Sequence, residues 1–169
     1  FFSVHQFPLY PGTGWITERG EGEGLGYTVN VPLPAGCGDP TYRRVLTEVL
    51  RPLADRYRPD LVLVSAGYDG HWLDPLASMR LSVDGYADLM RTLTAIAETH
   101  CDGRMVVVLE GGYDLRALAH GVAATCHVLL EEPAGPDPLG PPPDGDEPAE
   151  AASRLAAVLA LAVGTSTPG

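Results

Sequence analysis

Two uninterrupted apolar runs, Leu61, Val62, Leu63, Val64 and then Met105, Val106, Val107, Val108, Leu109, constrain this chain more than any other feature. Neither alternates with polar residues as a strand with one wet face would. Each therefore reads as a strand covered on both faces, the pattern of a parallel sheet. Parallel neighbours need a crossover, and the residues between the runs supply one. Tyr86, Leu89, Met90, Leu93, Ile96 and Ala97 recur at the spacing of a helix with one buried side. Two further strand-like stretches, residues 1–4 and 28–31, precede a similar helix marked by Tyr42, Val45, Leu46, Val49, Leu50 and Leu53. A third helix is expected over residues 115–130. Alternating strands and helices with right-handed crossovers predict an α/β fold, three layers α/β/α around a mostly parallel sheet.

With 45% apolar and 20% charged residues over 169 positions, the composition is that of a globular domain. The net charge of −11 argues against nucleic acid, whose phosphates require clustered Lys and Arg. All 11 basic residues are arginine. Seven of the 22 acids lie from Glu131 onward against Arg154 alone, so this tail holds −6 of the charge and the body is only mildly acidic. Residues 133–148, rich in Pro, Gly and Asp, read as a linker that does not pack, and 149–169 as an Ala-rich C-terminal helix and tail. That leaves residues 1–132 as the main domain. Cys37, Cys101 and Cys126 are odd in number and lack CxxC spacing, which indicates neither a disulfide framework nor a zinc knuckle. A reduced, cytoplasmic setting is expected. No apolar run approaches the roughly 20 residues of a membrane span. The chain opens on strand-like residues without an initiator Met, so the N-terminal half of the fold is expected to lie outside it.

In a parallel α/β sheet, ligands bind beyond the carboxyl ends of the strands. The run at 61–64 leads into Ser65-Ala66-Gly67-Tyr68-Asp69-Gly70-His71, and the run at 105–109 into Glu110-Gly111-Gly112-Tyr113. Both join a strand to bare glycine, where backbone can approach a ligand, and then to a polar side chain. Asp69 and His71 admit two readings: oxygen and nitrogen ligands of one metal, or a capping carboxylate beside a surface histidine. Tyr113 reads either as a packing anchor or as a phenol that donates to a developing oxyanion. Glu110 reads as a capping or supporting carboxylate, and His5 as satisfying a backbone carbonyl. The glycine-dense stretch 20–26 contains Glu21 and Glu23 and no Lys-Ser/Thr pair, so it is not a phosphate loop. The long Gly/Pro loop between residues 7 and 26 exceeds ordinary connections, as functional loops do.

Four ordered segments resemble the zinc-dependent histone deacetylase family, in its bacterial, class II-like form on the arginase/deacetylase fold. They are Ser3-Val4-His5 through Tyr10-Pro11-Gly12-Thr13-Gly14, then Tyr27-Thr28-Val29-Asn30-Val31-Pro32-Leu33-Pro34, then Pro59 through Asp69 to Asp74-Pro75-Leu76, and Val108-Leu109-Glu110-Gly111-Gly112-Tyr113. The resemblance covers about residues 1–130. It implies hydrolysis of the acetamide of acetyl-lysine side chains, with Asp69 as a zinc ligand and Tyr113 stabilising the tetrahedral intermediate. It further implies Tyr10, Leu76, Gly111 and Gly112 in the substrate tunnel, and Ser3, Val4 and Tyr27 as ligands of structural potassium ions. Tyr10 stands where the family usually has Phe, and Leu76 where the polyamine-selective relative has Glu. The remaining zinc ligands and the paired catalytic histidines match nothing in these residues, so they are expected from an upstream segment, without which the chain is inactive. Two alternatives stay open: a deacetylase of an acetylpolyamine or other small acetylated metabolite, and a non-catalytic remnant that binds a partner or an acetylated peptide.

Overall fold

The computed structural model describes residues 1–133 and 135–162. β1 (Phe2–Gln6) and β2 (Val29–Leu33) pair in parallel, with Val4 opposite Val31. β3 (Val62–Gly67) and β4 (Met105–Gly111) form a second parallel pair, with Val64 opposite Val107. Among the described residues no ladder joins the two pairs, so the expected single sheet is present as two two-stranded pieces.

Between β2 and β3 runs one helical rod: α1 (Asp39–Arg44), a π-helical turn (Val45–Leu50) and α2 (Arg51–Tyr57). Pro52 has no N–H to donate and crowds the carbonyl four residues back, and the wider π turn immediately before it relieves that conflict. α3 (Val83–Cys101) crosses from β3 to β4. Its N-cap Ser82 accepts from the Gly85 N–H, while the Ser82 hydroxyl donates to Asp39 Oδ2 at 2.5 Å. α4 (Leu115–Leu129) follows β4 and is capped by the Asp114 carboxylate, which accepts from the N–H groups of Arg116 and Ala117.

The buried face of β3–β4 packs Met105 and Val107 against Val83, Ala87 and Met90 of α3 and Ala124 and Val128 of α4. Its other face, with Leu63, Val106 and Val108, is exposed, Leu63 by 70%. The expectation of strands covered on both faces is therefore met here on one side only, because no described element reaches the other. β2 is buried from Asn30 to Leu33. Val31 and Leu33 share a core with Val45 and Val49 of the π turn and with Leu155 and Val158 of α5 (Ala149–Ala162). Each such aliphatic side chain contributes roughly 1.5–3 kcal/mol when fully buried.

The expectation that residues 133–148 do not pack is corrected. Asp137 Oδ2 accepts from the Val83 N–H at 3.0 Å. Glu147 accepts from the N–H groups of Gly38 and Thr41 and from the Thr41 hydroxyl, at 2.9, 3.2 and 2.5 Å. The Arg80 guanidinium donates to the Pro143 carbonyl. Proline removes backbone donors but leaves carboxylates and carbonyls as acceptors, and these bind the segment to helix starts that need acceptors. Residues 163–169 of the expected tail lie outside the described residues. No described helix is long and apolar enough to cross a membrane.

Candidate active site

The ends of β3 and β4 are locked together before the site begins. The register shifts after Ala66, Gly67 pairs with Gly111, and the Tyr68 N–H donates to the Gly111 carbonyl at 2.9 Å. Tyr68 turns inward, 3% exposed, and its hydroxyl lies 2.8 Å from Thr125 Oγ1 on α4. With Tyr68 anchored, Asp69 has little freedom. A Cβ at Gly67 would stand 2.8 Å from Asp69 Oδ1 and would push the carboxylate aside. A Cβ at Gly111 would stand 3.5 Å from the same oxygen and 3.9 Å from Tyr113 Cε2, so Asp69 and Tyr113 both lie against the bare face of Gly111. Gly112 has φ +128°, a conformation reserved for glycine, and a Cβ there would press on Tyr68 Cβ at 2.9 Å.

Asp74, buried, completes the arrangement. Its Oδ2 accepts from the Tyr113 N–H at 2.8 Å, and its Oδ1 from the N–H groups of Leu76 and Ala77 at 2.8 and 3.4 Å. One carboxylate thus ties together the backbone of two expected site residues, Tyr113 and Leu76. Burial pushes the Asp69 carboxyl above its ordinary range, and the nearby Asp74 charge adds to this. Tyr113 is 55% exposed, Leu76 60% and Tyr10 94%, so none of the three is enclosed by the described residues.

The neighbouring expectations resolve differently. His71 is fully buried, stacked on Trp72 with ring centroids 5.7 Å apart, and its Nδ1 accepts from the Leu73 N–H at 3.1 Å. It is not the surface histidine of the capping reading, because the Gly70–Leu81 backbone contact folds the segment over it. His5 Nε2 lies 3.1 Å from the Gly14 carbonyl, the backbone role read for it. Glu110 accepts from the Ser65 hydroxyl at 3.1 Å on the exposed face. Ser3 Oγ pairs with His5 Nδ1 at 2.8 Å, Val4 lies in β1, and the Tyr27 carbonyl accepts from the Phe1 amino group at 2.7 Å. A concavity of about 530 Å³ lined by Thr13, Gly14, Glu18 and Asn30 includes none of Tyr10, Asp69, Leu76 or Tyr113.

Among the described residues no three His, Cys, Asp or Glu side chains converge as a metal site would require. Asp74 spends both oxygens on backbone donors, and catalytic zinc takes three protein ligands. Asp69 alone does not fit one, so no metal step is assigned to these residues.

The histone deacetylase domain matches residues 1–129. The chain belongs to the histone deacetylase family. A probable deacetylase of Archaeoglobus fulgidus is 52% identical over 115 residues, which cover 68% of this chain and 32% of the relative. Histone deacetylase 14, chloroplastic, of Arabidopsis thaliana is 47% identical over 132 residues, covering 78% and 31%. The crystal structure of the HD domain of HDA15 superposes with a TM-score of 0.81 at 33% identity, over 96% of this chain and 43% of that one. The chain therefore spans about a third of the length of these curated relatives. Its fold is that of the deacetylase domains, α/β with parallel strands, and its family is one of hydrolases that are generally zinc-dependent. Sequence reading passed over Asp74 as an individual. Its signal was the Asp-Pro-Leu motif, but its partners are backbone amides up to 39 residues away, which side-chain spacing cannot show.

Proposed function

We propose that this chain is the part of a deacetylase that carries the strand-end wall of its active site, and that the complete protein hydrolyses the acetamide of acetyl-lysine side chains. The observation that carries this reading is the approach of Asp69 and Tyr113 to the same bare face of Gly111, two residues from separate strand ends held in register by the β3–β4 ladder and by Asp74. Tyr113 is the oxyanion donor: its phenol gives a hydrogen bond to the acetyl carbonyl oxygen as that oxygen gains charge, and rebonds less strongly to the ground state. Asp69 is one metal ligand, with the others and the histidine base supplied from outside these 169 residues. Tyr10 and Leu76 form tunnel walls for the lysine methylenes, and Gly111 and Gly112 keep the floor free of side chains. Ser3, Val4 and Tyr27 are offered as potassium ligands on the same basis of family resemblance. Three free cysteines without a bridge support a reducing, cytoplasmic setting.

The test is steady-state kinetics of the full-length protein on an acetyl-lysine peptide, with an acetylpolyamine as comparison. Tyr113→Phe should lower kcat by about 10²- to 10³-fold with little change in KM, as loss of a transition-state donor does. Full activity in that variant would remove the assigned role. Cleavage of the acetylpolyamine in preference to the peptide would replace the substrate.

A further inference from the structure

Residues beyond the family match reach back to the loop that carries Tyr10. Arg154 of α5 has a side chain only 14% exposed, and its partners are unusual for a surface arginine. Its Nη1 donates to the Phe7 carbonyl at 3.0 Å and to the Pro32 carbonyl at 3.2 Å. Nε and Nη2 both donate to Glu150 Oε1, at 2.8 and 2.7 Å, which fixes the plane of the guanidinium. The same group lies 5.4 Å from the centroid of the Trp15 ring. Phe7 and Trp15 are themselves in contact, ring centroids 4.9 Å apart.

Phe7 and Trp15 are the two ends of one loop. The chain leaves β1 at Phe7, whose N–H donates to the Leu33 carbonyl at 2.8 Å, and returns at Trp15, whose N–H donates to Glu18 at 2.8 Å. Between them stands Tyr10, almost wholly in solvent. Arg154 touches both ends at once, so it closes the neck of the loop. The neck also connects to the rest of the site, because Gln6, the residue before Phe7, accepts from the Ser78 N–H at 2.7 Å, two residues past Leu76.

We propose that Arg154 is a positioning residue for substrate entry: from the C-terminal helix it clamps the neck of the loop of residues 7–15 and so sets where Tyr10 stands at the tunnel rim. The proposal rests on the reading of Tyr10 as a tunnel wall. It gives the C-terminal helix a part in substrate selection in addition to its packing.

The experiment compares Arg154→Ala and Arg154→Lys with the native full-length protein by amide hydrogen exchange and by kinetics on the acetyl-lysine peptide. In Arg154→Ala, exchange across residues 7–15 should rise about tenfold while the amides of α5 keep their protection through the buried Leu155 and Val158. KM should rise about tenfold with kcat within about twofold, since the clamp orients substrate and touches no reacting atom. Arg154→Lys keeps a cation and donors for the carbonyls and should recover much of both effects. Unchanged loop exchange in Arg154→Ala overturns the clamp. Loss of α5 protection in both variants also overturns it, because Arg154 would then hold only its own helix. A loosened loop with unchanged KM overturns the role in substrate entry. If the native protein cleaves no acetyl-lysine peptide, the deacetylase reading fails, and the exchange result still decides whether the clamp exists.

Discussion

Asp74 accepts three backbone N–H groups, those of Leu76, Ala77 and Tyr113. Asp74→Ala should therefore cost about 3 kcal/mol, the scale of lost charge-assisted hydrogen bonds and stranded donors, measured by chemical denaturation. The same variant should lower kcat/KM on the peptide, because the backbone at Tyr113 and Leu76 loses its common anchor. A native-like denaturation midpoint would show that those donors find other partners. A second residue-scale prediction concerns thiols. Burial pushes the Cys37 thiol up to about 11, and the nearby Glu147 carboxylate adds to the shift. At pH 8 it is thus almost entirely protonated and unreactive, while exposed Cys126 is open to attack. Alkylation followed by peptide mapping should label Cys126 and spare Cys37; labelling of Cys37 in the native state would contradict its burial. At this scale the placing of Asp69 and Tyr113 just past glycine at the two strand ends was legible. His71 misled because a histidine two residues from a carboxylate looks like a ligand or a surface residue, and only the fold shows it enclosed.

The helices were readable because each buries one side, and burial imposes the spacing seen at Val83, Ala87 and Met90 in α3. Their starts are fixed by caps that the structure shows and the spacing did not name: Ser82 before α3 and Asp114 before α4. The docking of α5 was not. Its run of alanines has a weak pattern, and its anchors, Glu147 to Gly38 and Arg154 to Phe7, join residues more than 100 apart. The same gap in sequence hid the packing of residues 133–148. Leu155→Ala should cost about 2–5 kcal/mol if α5 belongs to the core as described. A cost near zero would leave α5 an ornament. For α4, the Ala117 N–H holds the capping Asp114 carboxyl below its usual range, and Arg116 adds to this. A carboxyl depressed by folding stabilises above its unfolded pKa, and that contribution is lost as pH falls through the depressed folded value. Asp114→Ala should be less stable than the native chain at neutral pH, and the difference should shrink on acidification through that window. A difference independent of pH would mean that the cap acts without its charge.

For the whole molecule, the exposed apolar face of β3–β4 is the feature that ordinary soluble surfaces lack. Leu63, Val106 and Val108 lie side by side on it. The isolated 169-residue chain should bind a hydrophobic dye and sediment as more than a monomer, whereas the full-length protein should do neither; a clean, dye-free monomer would show that this face is tolerated in water. The parallel architecture followed from two apolar runs and the helix between them. That one face stays open could not be read there, because an apolar strand looks the same whether its second cover lies within these residues or outside them. The central proposal is that Asp69, two residues past the end of β3, belongs to the metal site of the complete protein. Metal analysis of the full-length protein against Asp69→Asn tests it most directly. The account predicts about one zinc per native molecule, and loss of that zinc in the variant with the folded state intact. Equal zinc in both would contradict the assignment of Asp69 and, with it, the site as built here.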